Sequence, residues 1–341
     1  MKRRNDGKAT LKSWNSRTPV KIAAITGSSG SIGPVMIEHL LRAGYRVKVL
    51  VRREPIPWRF RGSVQVVVGD ICDVAALRSL TEGASEVFHL AASLHVNRMT
   101  DALRTEYYRV NVEGTRILTE VASGASVQRL IFFSTISVYG ASRDNIIFDE
   151  ESPLNPDSFY AETKCHAEEI AKRGSPAVIL RLAAVYGPHM KGNYSRLVEA
   201  FRRGFFVPVG PGTNRRALVY EQDAASAALL AAEHPAAVYK IYNVTDGEFH
   251  TLNEIIESIC SALGRKPPRF SLPISPTRAL VGLVEKGSRS IGLKPPVTPE
   301  MIDKYTEDIA VDGSLIQKEL GFMPQYDLKT GWVETIREMQ E

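Results

Sequence analysis

Short apolar segments alternate with helical patterns along the first half of the chain. Residues 20–26 are apolar and rich in β-branched side chains, and residues 35–43 then show apolar positions at helical spacing before Gly44. Further apolar segments occur at 46–51, 64–68, 86–92, 130–134 and 177–182. Near-continuous apolar strands that alternate with helices are typical of a parallel sheet covered on both faces. The pattern predicts an α/β fold with a doubly wound parallel sheet over residues 20–187.

The regular alternation weakens after Gly187. Before this point, residues 101–122 predict one long helix. After it, prolines and loop signals are frequent from 267 to 297. We therefore expect a smaller C-terminal α/β domain over residues 188–341, which would bind the substrate. Within it, the segment 217–245 is expected to return to the main sheet.

Charge is unevenly distributed along the 341 residues. Six of the 43 basic residues and one of the 38 acidic residues lie in the first 19, so this segment carries the whole net charge of +5. We expect residues 1–19 to form a disordered basic tail, with a faint likeness to a transit peptide. The remaining chain is neutral, which argues against nucleic acid as a partner.

Other compositional features exclude further classes of protein. No run reaches the 18 apolar residues of a membrane span, so we expect no membrane partner. The three cysteines include no CxxC pair, which indicates free thiols in a reducing compartment and no metal site. We expect a cytoplasmic protein.

A glycine-rich loop follows the first predicted strand. Residues 26–33 read TGSSGSIG and place glycines three apart, between a strand and a helix. Glycines here allow a tight turn and a close approach of backbone to a pyrophosphate, which the helix N-terminus attracts. The loop predicts a Rossmann-type dinucleotide site whose contacts come from six residues: Gly27, Ser29, Gly30, Ser31, Ile32 and Gly33.

The end of the second strand indicates which dinucleotide binds. An NAD site would place a carboxylate there for the ribose hydroxyls, but this chain has Arg52 and Arg53 and no carboxylate before Glu54. Arginine suits a 2′-phosphate, so NADP is favoured and NAD stays open. Asp70, after the third strand, is a candidate for the adenine amino group, with a turn or helix cap as the alternative.

A tyrosine and a lysine lie four residues apart in the segment YAETK. Tyr160 and Lys164 therefore share one face of a helix, one element after a strand that ends in Ser134 and Thr135. A phenol is a poor base at neutral pH, but a nearby ammonium favours the phenolate. Such a pair can move a proton while a nicotinamide cofactor moves hydride, and a hydroxyl at the strand end can hold the reacting oxygen.

Together these motifs resemble those of the extended short-chain dehydrogenases/reductases, the NAD(P)-dependent epimerase/dehydratase family, and in particular its UDP-glucose 4-epimerases. The resemblance runs from about residue 19 to the C-terminus and includes the segments 89–92, 111–115, 181–188, 216–220 and 242–247. It implies that Tyr160 is the acid/base, that Lys164 supports it and clamps the ribose, and that Thr135 is the catalytic hydroxyl, with Ser134 as the alternative. The resemblance also implies cofactor contacts from Ile71, Leu90, Ala91, Ala92 and Asn111.

Members of the family mostly act on nucleotide sugars. The resemblance places Arg216 at a diphosphate-binding position, with Arg215 beside it and Asn193 at a nucleotide-contacting position. Two departures matter: Ala184 stands where many epimerases have an asparagine, and Ile136-Ser137 replaces the Asp-Glu pair of 4,6-dehydratases. Dehydration is therefore not expected.

Three functions remain open at this point. The first is NAD(P)-dependent oxidoreduction at carbon 4 of a nucleotide sugar, as a 4-epimerase or a 4-ketoreductase. The second, supported by Ala184 and the proline-rich segment 272–299, is a hydroxysteroid or dihydroflavonol-like NADP-dependent reductase. The third is a non-enzymatic NADP-sensing protein, which has no need of the Thr135, Tyr160 and Lys164 set. The family resemblance also makes a homodimer an expectation.

Overall fold

The computed structural model describes most of the chain, namely residues 20–53, 58–94, 100–142, 145–174, 176–204, 206–290, 292–293, 295 and 297–340. The predicted tail, residues 1–19, lies outside the described residues. The strands are β1 (Ile22–Thr26), β2 (Arg46–Val51), β3 (Val64–Val68), β4 (Glu86–His89), β5 (Arg129–Thr135), β6 (Ile147–Phe148), β7 (Ala177–Leu182), β8 (Ala184–Tyr186), β9 (Arg215–Arg216), β10 (Leu218–Tyr220), β11 (Ile241–Val244), β12 (His250–Thr251) and β13 (Ala310–Val311).

Seven strands form one sheet in the order β11-β7-β5-β4-β1-β2-β3. Every pair in it is parallel. Because the strand order reverses between β1 and β4, the crevice at their carboxyl ends is where such a sheet binds its ligand. The doubly wound Rossmann-type fold is therefore confirmed. The segment 217–245 contributes β11 to this sheet, whereas β10 pairs with β8.

Helices cover both faces of the sheet. They are α1 (Gly33–Arg42), α2 (Val74–Thr81), α3 (Asp101–Tyr108), α4 (Gly114–Gly124), α5 (Phe159–Gly174), α6 (Asn193–Arg203), α7 (Glu221–Glu233), α8 (Leu252–Ala262), α9 (Ile274–Ser290), α10 (Pro299–Thr306), α11 (Ser314–Leu320) and α12 (Leu328–Glu338). Among the described residues, no helix is both long and apolar enough to cross a membrane.

Alternation along the strands builds two separate cores. In β5, Ile131 and Phe133 pack towards α1, α7 and α11, while Leu130 and Phe132 pack towards α2, α4 and α5. Successive side chains of a strand point to opposite faces of the sheet, and both faces are buried. This explains why the strands are continuous apolar runs in the sequence. A third core, between α6, α8 and α12, surrounds the fully buried Trp332.

The structure divides the long helix expected over residues 101–122. A π-turn, Arg109–Glu113, separates α3 from α4. Within it Asn111 is buried and accepts a hydrogen bond from the Ser93 backbone N–H at 2.7 Å. Such a wider turn is typical of functional sites, and it leaves the apolar face of the helix intact. Hydrophobic periodicity alone therefore does not reveal it.

Candidate functional site

The glycine loop between β1 and α1 is built by close backbone contacts. Gly27 has φ +76°, and a Cβ there would lie 2.5 Å from the Ala91 backbone nitrogen. A Cβ on Gly33 would lie 2.5 Å from the Ser28 carbonyl carbon. The Gly30 N–H donates to the Gly27 carbonyl oxygen at 2.9 Å, which closes the turn. Only glycine fits at Gly27 and Gly33, so the loop passes close to the backbone of Leu90 and Ala91 and folds tightly onto its own Ser28.

The N-terminus of α1 is open to an anion. Its N-cap, Ile32, makes no side-chain cap, and the first turn contains no acidic residue. Ser29 and Gly30 are exposed, and Ser31 and Ile32 are half-buried. The first-turn N–H groups and the positive end of the helix dipole are thus free of a side-chain cap and suit the phosphates of a dinucleotide.

Two arginines and an ion pair lie where β2 and β3 end. Arg52 and Arg53 are exposed, and neither makes a hydrogen bond or ion pair with the described residues. Asp70 accepts from Arg109 Nη1 at 2.6 Å and from the Cys72 N–H at 3.0 Å. The hydrogen bond from Arg109 lowers the pKa of the Asp70 carboxyl. Both predicted elements, a basic strand end and an acidic turn, therefore lie at the same edge of the sheet.

A buried histidine orders the backbone beside the glycine loop. Thr115 Oγ donates to the Asn111 carbonyl at 2.6 Å, so it accepts from His89 Nε2 at 2.9 Å. His89 Nδ1 is then the acceptor for Thr26 Oγ at 2.7 Å. Burial lowers the pKa of His89 to about 3. The neutral imidazole therefore joins β1, β4 and α4, a role that the sequence analysis missed.

The backbone after β4 carries three predicted cofactor contacts. Leu90 N donates to the Thr26 carbonyl at 3.1 Å, and Ala91 N donates to Thr26 Oγ at 3.3 Å. Ala92 follows as a half-buried residue of the same segment. Ile71 is buried and packs closely against Gly114. Leu90 and Ala91 thus lie against Gly27 of the glycine loop, whereas Ile71 lies against the start of α4.

Asn111 connects that edge to α5. Its Nδ2 donates to the Ser93 carbonyl at 3.1 Å and to Thr163 Oγ at 2.9 Å. Thr163 Oγ donates in turn to the Tyr160 carbonyl at 2.8 Å. Asn111 thus orients the first turn of α5 through its own hydrogen bonds.

Tyr160 and Lys164 lie one turn apart on α5, as the spacing predicts. Lys164 is 2% exposed, and its Nζ donates to the Phe133 carbonyl at 2.6 Å. Burial lowers the pKa of Lys164 to about 7, while the Glu168 carboxylate opposes this shift. Tyr160 is half-buried, and burial raises the pKa of its phenol. Each group would stabilise the charged form of the other, because a Tyr160 phenolate would raise the pKa of Lys164 and a Lys164 ammonium would lower the pKa of Tyr160.

Two hydroxyl groups at the end of β5 differ in their surroundings. Thr135 is half-buried, caps the 3-10 turn Ile136–Tyr139 and donates to Ser137 Oγ at 3.2 Å. Ser134, one residue earlier on the strand, is buried and donates to Glu168 Oε1 at 2.5 Å. The Ser134 hydroxyl is thus held inside the protein, and Thr135 and Ser137 are the hydroxyls nearer the strand end.

A buried ion pair behind Lys164 is a second feature that the sequence analysis missed. The Arg181 guanidinium donates to both oxygens of Glu168, with a shortest distance of 2.7 Å, and Glu168 is fully buried. Arg181 also donates to Tyr139 Oη at 2.9 Å, and Tyr139 donates to Asn243 at 2.8 Å. A carboxylate four residues after Lys164, on the apolar face of the same helix, was the available signal.

The predicted substrate residues lie on β9 and at the start of α6. Arg215 forms an ion pair with Asp308 at 2.6 Å, and Arg216 donates to the carbonyl oxygens of Lys304 and Tyr305, the latter at 3.0 Å. Asn193 is exposed at the start of α6. Both arginines are therefore used to hold α10 and the residues after it. Among the described residues, no group of three His, Cys, Asp or Glu could hold a metal ion.

The chain resembles known proteins in both sequence and fold. The sequence model of the NAD-dependent epimerase/dehydratase family matches residues 23–245. The UDP-glucose 4-epimerase of Vibrio cholerae is 28% identical over 324 residues, which cover 92% of this chain and 94% of that protein. A putative dihydroflavonol 4-reductase of Synechocystis is 26% identical over 329 residues, covering 93% and 94%.

A solved structure, MoeE5 in complex with UDP-glucuronic acid and NAD, superposes with a TM-score of 0.73 at 26% identity, covering 94% of this chain and 99% of that one. The neighbours and relatives are oxidoreductases and epimerases of the extended short-chain type, so this chain is an enzyme of that type. The fold, the glycine loop and the family match agree, and the chain belongs to the NAD-dependent epimerase/dehydratase family.

Proposed function

We propose that the protein carries out NAD(P)-dependent oxidoreduction at carbon 4 of a nucleotide sugar, as a 4-epimerase or a 4-ketoreductase. The observation that carries the proposal is the pair Tyr160 and Lys164, one buried helical turn apart and tied to β5 through the Phe133 carbonyl at 2.6 Å. The strand continues to Thr135, which brings a hydroxyl to the same end of the sheet. Such a set is suited to moving one proton at a sugar hydroxyl.

The residues present fit a dinucleotide. Gly27 and Gly33 form a cradle that a Cβ would fill, and the N-terminus of α1 is uncapped. A bound nicotinamide would accept or supply the hydride. We propose NADP as the cofactor, because Arg52 and Arg53 present two unpaired cations to a 2′-phosphate; the related MoeE5 structure contains NAD.

Three side chains would carry out and support the proton transfer. Tyr160 donates it to, or takes it from, the oxygen on carbon 4. Lys164 stabilises the phenolate through its charge and offers its remaining N–H groups to the ribose. Thr135 donates a hydrogen bond to the reacting oxygen and holds it in line. Asn111 positions Tyr160 through Thr163.

The diphosphate end of the substrate is proposed to contact Arg216, with Arg215 and Asn193 nearby. The hydrogen-bond partners of Arg216 are neutral carbonyl oxygens, and the nearest carboxylate, Glu307, lies 4.0 Å away. Its positive charge is thus only partly compensated and suits an anion. The presence of a UDP-sugar in the related MoeE5 structure supports this assignment.

A second candidate is a dihydroflavonol-like reductase. Two observations favour it: Ala184 offers no amide to a diphosphate, and Arg215 is paired to Asp308 through two side-chain contacts within 3.1 Å. The similarity to the putative dihydroflavonol 4-reductase agrees with this alternative. Protection by UDP separates the candidates, since a nucleotide-sugar enzyme should be stabilised against heat by UDP and the Arg216→Ala variant should not.

The test of the chemistry is Tyr160→Phe, with the exposed Tyr239→Phe as the matched control. We expect Tyr160→Phe to fold and bind cofactor but to lose about 10²–10⁴-fold in turnover of the active substrate, while Tyr239→Phe keeps it. UDP-glucose, UDP-galactose and their 4-keto derivatives are the substrates to assay. Turnover without added cofactor identifies an epimerase, and consumption of NADPH identifies a reductase. Full activity of Tyr160→Phe would remove Tyr160 from its role.

A further inference from the structure

The surface helix α9 presents apolar side chains to solvent. Leu280 and Leu283 are 62% and 67% exposed, and Val284 is 44% exposed. The side that faces the protein includes Glu285, which is buried and paired with Arg289. The inward side also holds the half-buried Ile274 and Val281, so α9 carries apolar residues on both sides, whereas a surface helix normally keeps its apolar stripe towards the core. Something other than the described residues is therefore needed to cover this side.

More exposed apolar side chains flank α9 in the chain. Phe270, just before α9, is 83% exposed, Leu272 is 45% exposed and Leu293, just after it, is 62% exposed. We call the apolar face the surface formed by Phe270, Leu272, Leu280, Leu283, Val284 and Leu293. Six exposed apolar side chains within residues 270–293 are typical of an interaction site.

Basic residues are frequent in the segment that carries the apolar face. The segment 264–297 contains one acidic residue, Glu285, and seven basic residues: Arg265, Lys266, Arg269, Arg278, Lys286, Arg289 and Lys294. Lys266, Arg269 and Lys286 are exposed, and the described residues offer none of them an ion pair. The chain after residue 19 is neutral overall, so this segment is a local basic region. Apolar side chains flanked by free cations complement an anionic lipid surface.

We propose that the apolar face docks on an anionic lipid bilayer, with α9 lying in the plane of the interface. Leu280, Leu283 and Phe270 would enter the headgroup boundary while Lys266, Arg269 and Lys286 contact anionic headgroups. A second copy of the chain is a poorer occupant, because a two-fold contact would place two basic segments against each other. The proposal departs from the expectation of no membrane partner, since a helix can lie on a bilayer without crossing it.

The helix that carries much of the apolar face is connected to the candidate site. Arg278 on α9 pairs with Asp303 on α10 at 2.7 Å. Lys304 on α10 pairs at 2.7 Å with Asp157, three residues before Tyr160. Two ion pairs through α10 therefore link α9 to the segment that precedes Tyr160. The proposal does not depend on the reaction, because it rests on the surface alone.

The test is sedimentation of the full-length protein with vesicles of phosphatidylcholine, with and without about one-third phosphatidylglycerol. We expect binding to the anionic vesicles only, weakened by high salt. Leu280→Ser combined with Leu283→Ser should lower the partition coefficient at least about tenfold. Lys266→Gln and Lys286→Gln should each lower it about fivefold. The matched control, Met323→Ser combined with Val333→Ser, changes two exposed apolar residues elsewhere and should bind as the wild type does.

Several outcomes would overturn the proposal. One is the absence of binding to either vesicle, and another is equal binding by the Leu280→Ser/Leu283→Ser variant. If instead the wild type is a dimer that does not bind vesicles and this variant is a monomer, the apolar face contacts a second copy of the chain. Thermal unfolding and turnover of a soluble substrate without vesicles should match the wild type, because both leucines are exposed and lie outside the catalytic set. These controls separate loss of docking from loss of fold or function.

Discussion

Replacing Lys164 with methionine should stabilise the protein without cofactor while removing its activity. Lys164 is 2% exposed, and the Phe133 carbonyl is its one hydrogen-bond acceptor among the described residues. Its ammonium is therefore poorly solvated, and burial lowers its pKa from 10.5 to about 7. Methionine has a similar length and no charge, so it occupies the site without that penalty.

The magnitude follows from the same pKa. One pKa unit corresponds to about 1.4 kcal/mol, so the interval from 10.5 to about 7 is worth about 5 kcal/mol. The unfolded chain binds more protons than the folded one between these values, so wild-type stability rises with pH across this interval. About 3.5 kcal/mol of the rise falls between about pH 7 and pH 10. The variant lacks this rise, and its advantage at pH 7 is reduced by the unpaired Phe133 carbonyl to about 1–3 kcal/mol.

The assay is denaturant unfolding of the protein without cofactor at several pH values. The matched control is Lys172→Met, on the same helix, where Lys172 makes only an exposed ion pair with Glu169. We expect the control to change the unfolding free energy by less than about 1 kcal/mol at every pH. A difference between wild type and Lys164→Met that does not depend on pH, or a Lys164→Met variant that is less stable than the wild type at pH 7, would contradict the assignment of this cost to the buried ammonium.

Three further predictions concern the parts around this pair. Glu168→Gln leaves Arg181 buried without its partner and should lower the unfolding free energy by about 3–5 kcal/mol, whereas exposed Glu169→Gln should change it little. Gly27→Ala should destabilise the fold and abolish cofactor binding in a titration; Gly44→Ala, with similar φ and open space, measures the strain alone. Arg52→Ala combined with Arg53→Ala should weaken NADPH at least about tenfold and spare NADH; equal loss of both would contradict the 2′-phosphate assignment.

The family motifs could be recognised from the sequence because each depends on local geometry. Tyr160 and Lys164 share a face of α5 because helical periodicity brings residues four apart together. Gly27 and Gly33 fit only a strand-turn-helix loop, and the structure shows the close contacts that exclude a Cβ. In each case the chemistry is contained in one short segment.

Residues that act through distant partners were harder to recognise. His89 is joined to Thr26 and Thr115, and Glu168 to Arg181, through contacts between elements that lie apart in the chain. A histidine at a strand end gives no local indication of its partners, and the spacing of Glu168 from Lys164 indicates a buried carboxylate but does not identify Arg181 as its partner. Their pairing depends on the order of the strands.

The sequence by itself determined the fold class, the glycine loop after β1 and the spacing of Tyr160 and Lys164, because these depend on periodicity and backbone conformation within single elements. Only the tertiary structure decided the burial of Lys164, the pairing of Arg215 and Arg216 with the α10 region, and the outward orientation of the apolar side of α9. Burial and charge compensation depend on which distant elements meet. The pattern of residues along one helix cannot show which of its sides faces the protein.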